Sequence, residues 1–127
     1  MNTPTQRRVI PIYTSRGDAE AFLIYPYIYN RMGEWIGWVT LDQQVYSVRG
    51  FYVGDLTSEP RIIRKRFTTA LKQWKEPPAR PPFYPIPATI PLAPLMAELR
   101  TGIIDVLLEE PERLHTLDAG ESQEDLD

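Results

Sequence analysis

Three groups of side chains have the types that chemistry uses. The first is acidic: Asp105, Glu109, Glu110 and Glu112 lie within eight residues of one another. Two carboxylates sharing a cleft with separated pKa values can divide general acid and general base work. Acids in an acidic stretch are more often simply solvated. The second group pairs the single histidine, His115, with Thr116 or Ser122 as a base and hydroxyl nucleophile, although nothing nearby in the sequence orders such a pair. The third is basic: Arg61, Arg64, Lys65, Arg66, Lys72 and Lys75 are candidate anion-binding residues, of the kind that meet phosphate backbones or anionic surfaces. No phosphate-cradling G-x-x-x-x-G-K-[ST] loop occurs; with no cysteine neither a disulfide framework nor a thiolate metal site is available, and with one histidine a histidine-built zinc site is not expected. The sequence therefore predicts no catalytic residue, no metal and no cofactor.

The elements that would position these groups begin with a repeat. I12-Y13-T-S-R-G17, I28-Y29-N-R-M-G33 and V45-Y46-S-V-R-G50 each run β-branched residue, tyrosine, three residues, glycine. Small residues follow four positions on, at Ala21, Gly37 and Gly54, and apolar ones six positions on, at Leu23, Val39 and Leu56. A β-branched and aromatic run, a short turn closed by glycine and a second apolar run describe a β-hairpin. Gly17, Gly33 and Gly50 are the predicted turn glycines, since positive φ costs glycine nothing. Gly37 and Gly54 need another reason, because glycine inside a strand weakens it. Hairpins set around a common axis would crowd one level and demand small residues there, with Trp35, Trp38, Tyr52 and Phe22 filling the volume alongside. A β-bulge in an open meander is the plainer alternative. A fourth unit would place its glycine near position 66, where the chain reads R61-I62-I63-R64-K65-R66, so it is either degenerate or closes the array by another route.

The pattern I28-Y29-N-R-M-G33-E-W-I36-G37-W38-V39 resembles the four-fold β-flower family, in which short hairpin repeats surround a pseudo-four-fold axis. The likeness covers about residues 9–66, departs at Asp55 and Arg66, and implies a mainly β fold. It brings no reaction, cofactor or catalytic residue with it.

The second half reads differently. Eight of the thirteen prolines fall in residues 77–94, a density that excludes helix and central strand and predicts an extended strap. Within it Pro81, Pro82, Phe83 and Tyr84 match the PPxY pattern that WW modules bind, and P78-A-R-P81 matches PxxP. Phe83, Tyr84, Ile86 and Ile90 are too apolar for a free linker, so the strap is expected to lie on the β body. Ahead of it, residues 67–76 place Phe67, Leu71 and Trp74 at helical spacing as a basic amphipathic segment. Behind it, Leu95, Leu99, Ile103 and Leu107 share one face of an expected helix over 95–110, weakened at Gly102. Residues 1–8 read as an N-terminal extension and 111–127 as an acidic tail.

Charge is unevenly laid out. Residues 61–97 hold seven basic and one acidic side chain, whereas 98–127 hold two basic and ten acidic, which predicts attraction between the two blocks. No run of ~18 apolar residues suggests a membrane span, and the N-terminus lacks an apolar signal core, so the expectation is a cytoplasmic protein. Two function classes follow. In the first, the chain is a non-enzymatic structural or interaction module whose partner is a protein, either another chain or a second copy; Pro81, Pro82, Phe83, Tyr84 and the 95–107 stripe are the candidate contacts. In the second it binds an anionic or small ligand, through the basic segment 61–75 or through an aromatic mouth where Tyr13, Tyr29 and Tyr46 ring the axis. Nucleic acid is the lesser alternative, since no stacking platform interleaves the basic residues.

Overall fold

The computed structural model describes residues 8–119. Eight antiparallel strands form one sheet in chain order: β1 (Ile10–Tyr13), β2 (Ala19–Ile24), β3 (Tyr27–Tyr29), β4 (Trp35–Val39), β5 (Gln44–Ser47), β6 (Tyr52–Leu56), β7 (Ile62–Lys65) and β8 (Ile103–Asp105). A single-turn helix, α1 (Val106–Glu109), and a 3-10 turn at Pro111–Arg113 follow.

The three repeat units are hairpins β1–β2, β3–β4 and β5–β6. Their turn glycines take φ of 91°, 82° and 94°, and each amide donates three residues back, Gly17 to Thr14, Gly33 to Asn30 and Gly50 to Ser47. The β-branched residue of each unit pairs with the small one: Ile12 with Ala21, Ile28 with Gly37 and Val45 with Gly54. At the next pair all three ladders skip a residue, so Tyr13 meets Ala19, Tyr29 meets Trp35 and Tyr46 meets Tyr52. One bulge, repeated three times, bends each hairpin in the same place. The curl so produced wraps an aliphatic core of Ile12, Ile28, Val45, Ile62, Ile104 and Val106, all fully buried.

The sheet does not end at residue 66. β7 pairs with β8, Ile63 opposite Asp105 and Lys65 opposite Ile103, so a fourth hairpin exists with residues 66–102 inserted in its turn. At the end of that insertion Gly102 takes φ of 87°, and its carbonyl accepts from the Arg66 amide at 2.7 Å. This corrects the expected helix over 95–110. Residues 95–100 form no regular element, Ile103–Asp105 is strand, and only Val106–Glu109 of that span is α-helical. A left-handed glycine interrupts the helical pattern, and the open edge of β7 offers Ile103–Asp105 backbone partners that an isolated helix would have to forgo. Helix also fails in 67–76. A 3-10 turn at Ala70–Lys72 is all that forms, Phe67 is exposed, and Trp74 leaves the segment to make a bridge with Phe51.

Hydrogen bonds join the first hairpin to the last. The Tyr13 amide donates to the Pro60 carbonyl at 3.0 Å. The amide and hydroxyl of Ser15 both donate to Asp105 Oδ2 at 2.6 Å. Arg61 Nη1 donates to Ser15 Oγ at 2.9 Å.

The proline-rich insertion is a belt. It runs back past the hairpin turns in reverse order and touches a turn glycine every nine residues. The Lys75 amide donates to the Gly50 carbonyl at 2.8 Å and the Tyr84 amide to the Gly33 carbonyl at 3.0 Å, while the Ala93 methyl lies 3.8 Å from where a Cβ on Gly17 would stand. Prolines suit this role because they hold the chain extended at small entropic cost and need no sheet donors. The two tighter glycines cannot carry a side chain. A Cβ on Gly33 would collide with the Tyr84 carbonyl oxygen, and one on Gly50 with that of Lys75. Gly33→Ala should therefore lift the belt locally, adding about 1–2 kcal/mol of left-handed backbone strain. Limited proteolysis should then cut near Tyr84 faster than in the parent chain; an unchanged cleavage pattern would mean that the belt is not held there.

Candidate functional site

Beneath the belt lie the repeat tyrosines. Tyr13, Tyr29 and Tyr46 are buried. Tyr13 Oη donates to the Pro91 carbonyl at 2.7 Å and Tyr29 Oη to that of Pro82 at 3.5 Å, again nine residues apart. The Tyr84 ring tilts against Tyr29 at 6.0 Å, and Lys75 Nζ sits 5.9 Å from the centre of the Tyr46 ring. These phenols face the belt and do not line an open mouth. Burial, then the charge of Asp55, hold the Tyr46 and Tyr52 phenols above their usual range. Both remain neutral hydrogen-bonding groups.

Along the belt, immediately before each contact with a turn, stands a large apolar residue. Trp74, Phe83 and Leu92 are 56%, 64% and 95% exposed. The Trp74 indole donates to the Arg49 carbonyl and lies over Gly50, and the Phe83 ring lies over Gly33. Their nine-residue spacing was present in the sequence, masked by the more conspicuous prolines.

The residues nominated from sequence separate in space. Of the six basic ones, Lys65, Arg66, Lys72 and Lys75 are exposed, whereas Arg61 and Arg64 are about 96% buried. Arg61 pairs with Glu59 at 2.7 Å and donates to Ser15 and to the Ala97 carbonyl. Arg64 pairs with Glu110 at 2.9 Å. These two guanidiniums are structural, and burial that deep is sustained only by such partners. Among the nominated contact residues, Pro82, Phe83 and Leu95 are exposed, Tyr84, Leu99 and Ile103 half-buried, and Pro81 and Leu107 buried. The 95–107 stripe is not one face.

The carboxylates are likewise dispersed. Asp105 accepts from Ser15 and caps α1 through the Leu108 amide. Glu109 pairs with Arg66, and Glu110 with both Arg64 and Arg113. Asp105 and Glu109 do line one cavity, of about 400 Å³, with Ser15, Arg61 and Glu98. His115 Nδ1 stands 2.8 Å from the Thr116 carbonyl. Ser122 lies outside the described residues. Among the described residues no three His, Asp or Glu side chains are grouped to hold a metal, and no helix is long and apolar enough to cross a membrane.

No curated protein and no solved structure matches this chain. The 4-fold beta flower protein family matches residues 10–101. That span takes in seven of the eight strands and the whole belt up to Thr101, so the belt lies within the matched region as the hairpins do. With recurrent hairpins, recurrent bulges and the match along most of its length, the chain belongs to the 4-fold beta flower protein family.

Proposed function

We propose that this chain is a non-enzymatic protein-interaction module and that the outer face of the belt is its contact surface. The observation that carries the proposal is the row of Trp74, Phe83 and Leu92, exposed at nine-residue intervals on a segment tied to the hairpin turns. An apolar side chain of this size gains roughly 1.5–3 kcal/mol when fully buried, and aromatic anchors on a rigid base contribute most to protein contacts. Lys72, Lys75 and Arg80 flank the row and are exposed, which favours a protein partner with an apolar centre and an acidic rim.

The same reading extends to the symmetry of the fold. A pseudo-four-fold arrangement is supported by the counterpart roles of Gly102 and the three turn glycines, by the 17-residue step from Val45 to Ile62, and by the bonds that bring the first hairpin to the last. In that arrangement the belt is a fourth turn drawn out until it reaches the other three.

The test uses the full chain with Phe83→Ser and Leu92→Ser together, two exposed positions whose loss should leave the melting temperature unchanged. A photo-crosslinking residue at position 95 should capture the same protein species from native lysate with the parent, and at least ~5-fold less of it with the double variant. Equal capture by both would refute the belt-face proposal. Capture of the chain itself would make the partner a second copy.

A further inference from the structure

Trp74 and Phe83 lie over the turns of the third and second hairpins. A groove of opposite electrical sign lies elsewhere on the same chain, between the first hairpin and the last. Met96, Leu99 and Ile103, half-buried, and Leu108, exposed, make it apolar, while Glu98, Asp105 and Glu109 make it acidic. We infer that this groove is the docking site for a second copy of this chain, which enters it with the Trp74 and Phe83 stretch of its belt. The inference rests on the reading of the belt as a contact surface and names the partner of that surface.

The charges decide the occupant. At the groove, Arg61 is matched by Glu59 at 2.7 Å and Glu109 by Arg66 at 2.9 Å. Asp105 accepts three hydrogen bonds but has no ion pair, and Glu98 has neither among the described residues. Two negative charges are therefore left without a cation. Along the belt, residues 72–83 hold Lys72, Lys75 and Arg80 against Glu76 alone, and none of the three cations has an ion pair among the described residues. An apolar stretch with a basic rim thus meets an apolar groove with an acidic one, a match that selects the partner and fixes its orientation. Glu98, at the surface, acts by contact, and Asp105, 2% exposed, acts through its field. Size agrees. The groove holds about 400 Å³, and roughly 150 Å³ is enough for a benzene ring.

The two surfaces share no residue, so a contact between them is heterologous. Each copy engages one neighbour by its belt and another by its groove, and the product is a ring or an open chain rather than a two-fold dimer.

Sedimentation equilibrium of the full chain should show the average mass rising above 14.7 kDa with concentration, and the rise should shrink at high salt. Glu98→Lys changes the groove only, and Lys72→Glu with Arg80→Glu changes the belt only. All three positions are exposed, and their side chains make no hydrogen bond or ion pair among the described residues, so both variants should keep the parent's melting temperature. Each alone should associate at least ~10-fold more weakly than the parent. An equimolar mixture of the two supplies one intact belt and one intact groove, and should give a dimer and nothing larger. A parent chain that stays monomeric at every concentration, while Phe83→Ser with Leu92→Ser still loses its capture from lysate, would overturn the second copy and leave the belt-face reading standing. Association that persists unchanged in the belt variant would overturn both. A mixture that yields no dimer, or that builds assemblies beyond it, would overturn the pairing of these two surfaces.

Discussion

Asp105→Ala is expected to lower the unfolding free energy by about 3 kcal/mol. Asp105 is 2% exposed, and three donors converge on it: the Ser15 amide, the Ser15 hydroxyl and the Leu108 amide. Alanine would take a charged acceptor from two part-buried amides: the bond from Ser15 is of a kind worth about 1.5–3 kcal/mol, and the bond from Leu108 is the cap of α1, worth about 1 kcal/mol. It would also take one carboxylate from the neighbourhood of Arg61, whose Nη1 donates to the same Ser15 hydroxyl. Water entering the cavity beside Ser15 returns part of that sum, which is why the estimate stays near the lower end for a broken buried cluster.

Asp105→Asn separates charge from geometry. Its carbonyl can still receive Ser15, but its amide would face the Leu108 amide, donor against donor. A loss near half that of alanine is expected. Urea unfolding of the parent and both variants measures this directly. Should the alanine variant fall within 0.5 kcal/mol of the parent, roughly the size of an ordinary surface change, the contact between first and last hairpins contributes nothing to stability.

How far the sequence reveals such features depends on how local they are. The first three hairpins were readable because everything that defines them lies within about a dozen residues: the β-branched residue, the tyrosine, the turn glycine and the small partner. The fourth was not readable, since β7 and β8 stand on either side of the belt and only pairing shows that Gly102 closes a hairpin. Leu95, Leu99, Ile103 and Leu107 fall four residues apart, which imitates a helix, yet Ile103 and Leu107 serve a strand and a one-turn helix. Local periodicity lost there to a strand edge that only the folded chain supplies.

The basic segment misled for a similar reason. Arg64 and Glu110 are 46 residues apart and pair between β7 and the end of α1, so charge alone nominated Arg64 as an anion-binding residue when it is core. The expected attraction between the basic and acidic blocks does occur at Arg64–Glu110 and Arg66–Glu109. Its buried half fixes the fold, and its exposed half is of the kind that contributes little.

The second large effect sets two rules against each other at Gly37. By strand propensity alone, Gly37→Val should stabilise, because β4 gains a β-branched side chain and loses the entropy cost of glycine, together about 1 kcal/mol. Packing opposes it. A Cβ at Gly37 would stand 2.7 Å from the Tyr46 carbonyl oxygen and 2.7 Å from Leu114 Cδ2. Leu114 can rotate, but the carbonyl belongs to the neighbouring strand, where Gly37 lies opposite Ser47, and can move only by parting β4 from β5. Overpacking of a rigid core costs about 1–3 kcal/mol and at times more, and two methyl groups beyond the clashing Cβ place valine at the upper end. The expected net loss is about 2–3 kcal/mol, or roughly 10 °C in melting temperature for a chain of this size.

Gly54→Val should behave alike, with a Cβ 2.8 Å from the Ile63 carbonyl oxygen and 3.2 Å from Val106. Ala21 holds the equivalent place in the first hairpin and is fully buried without displacing its neighbours. Gly37→Ala therefore gives the graded comparison: the carbonyl clash remains while the branched methyls are absent, and it should cost less than valine. Thermal melts in which Gly37→Val equals or exceeds the parent would mean that strand propensity wins and that the second glycine of the repeat is not there for space.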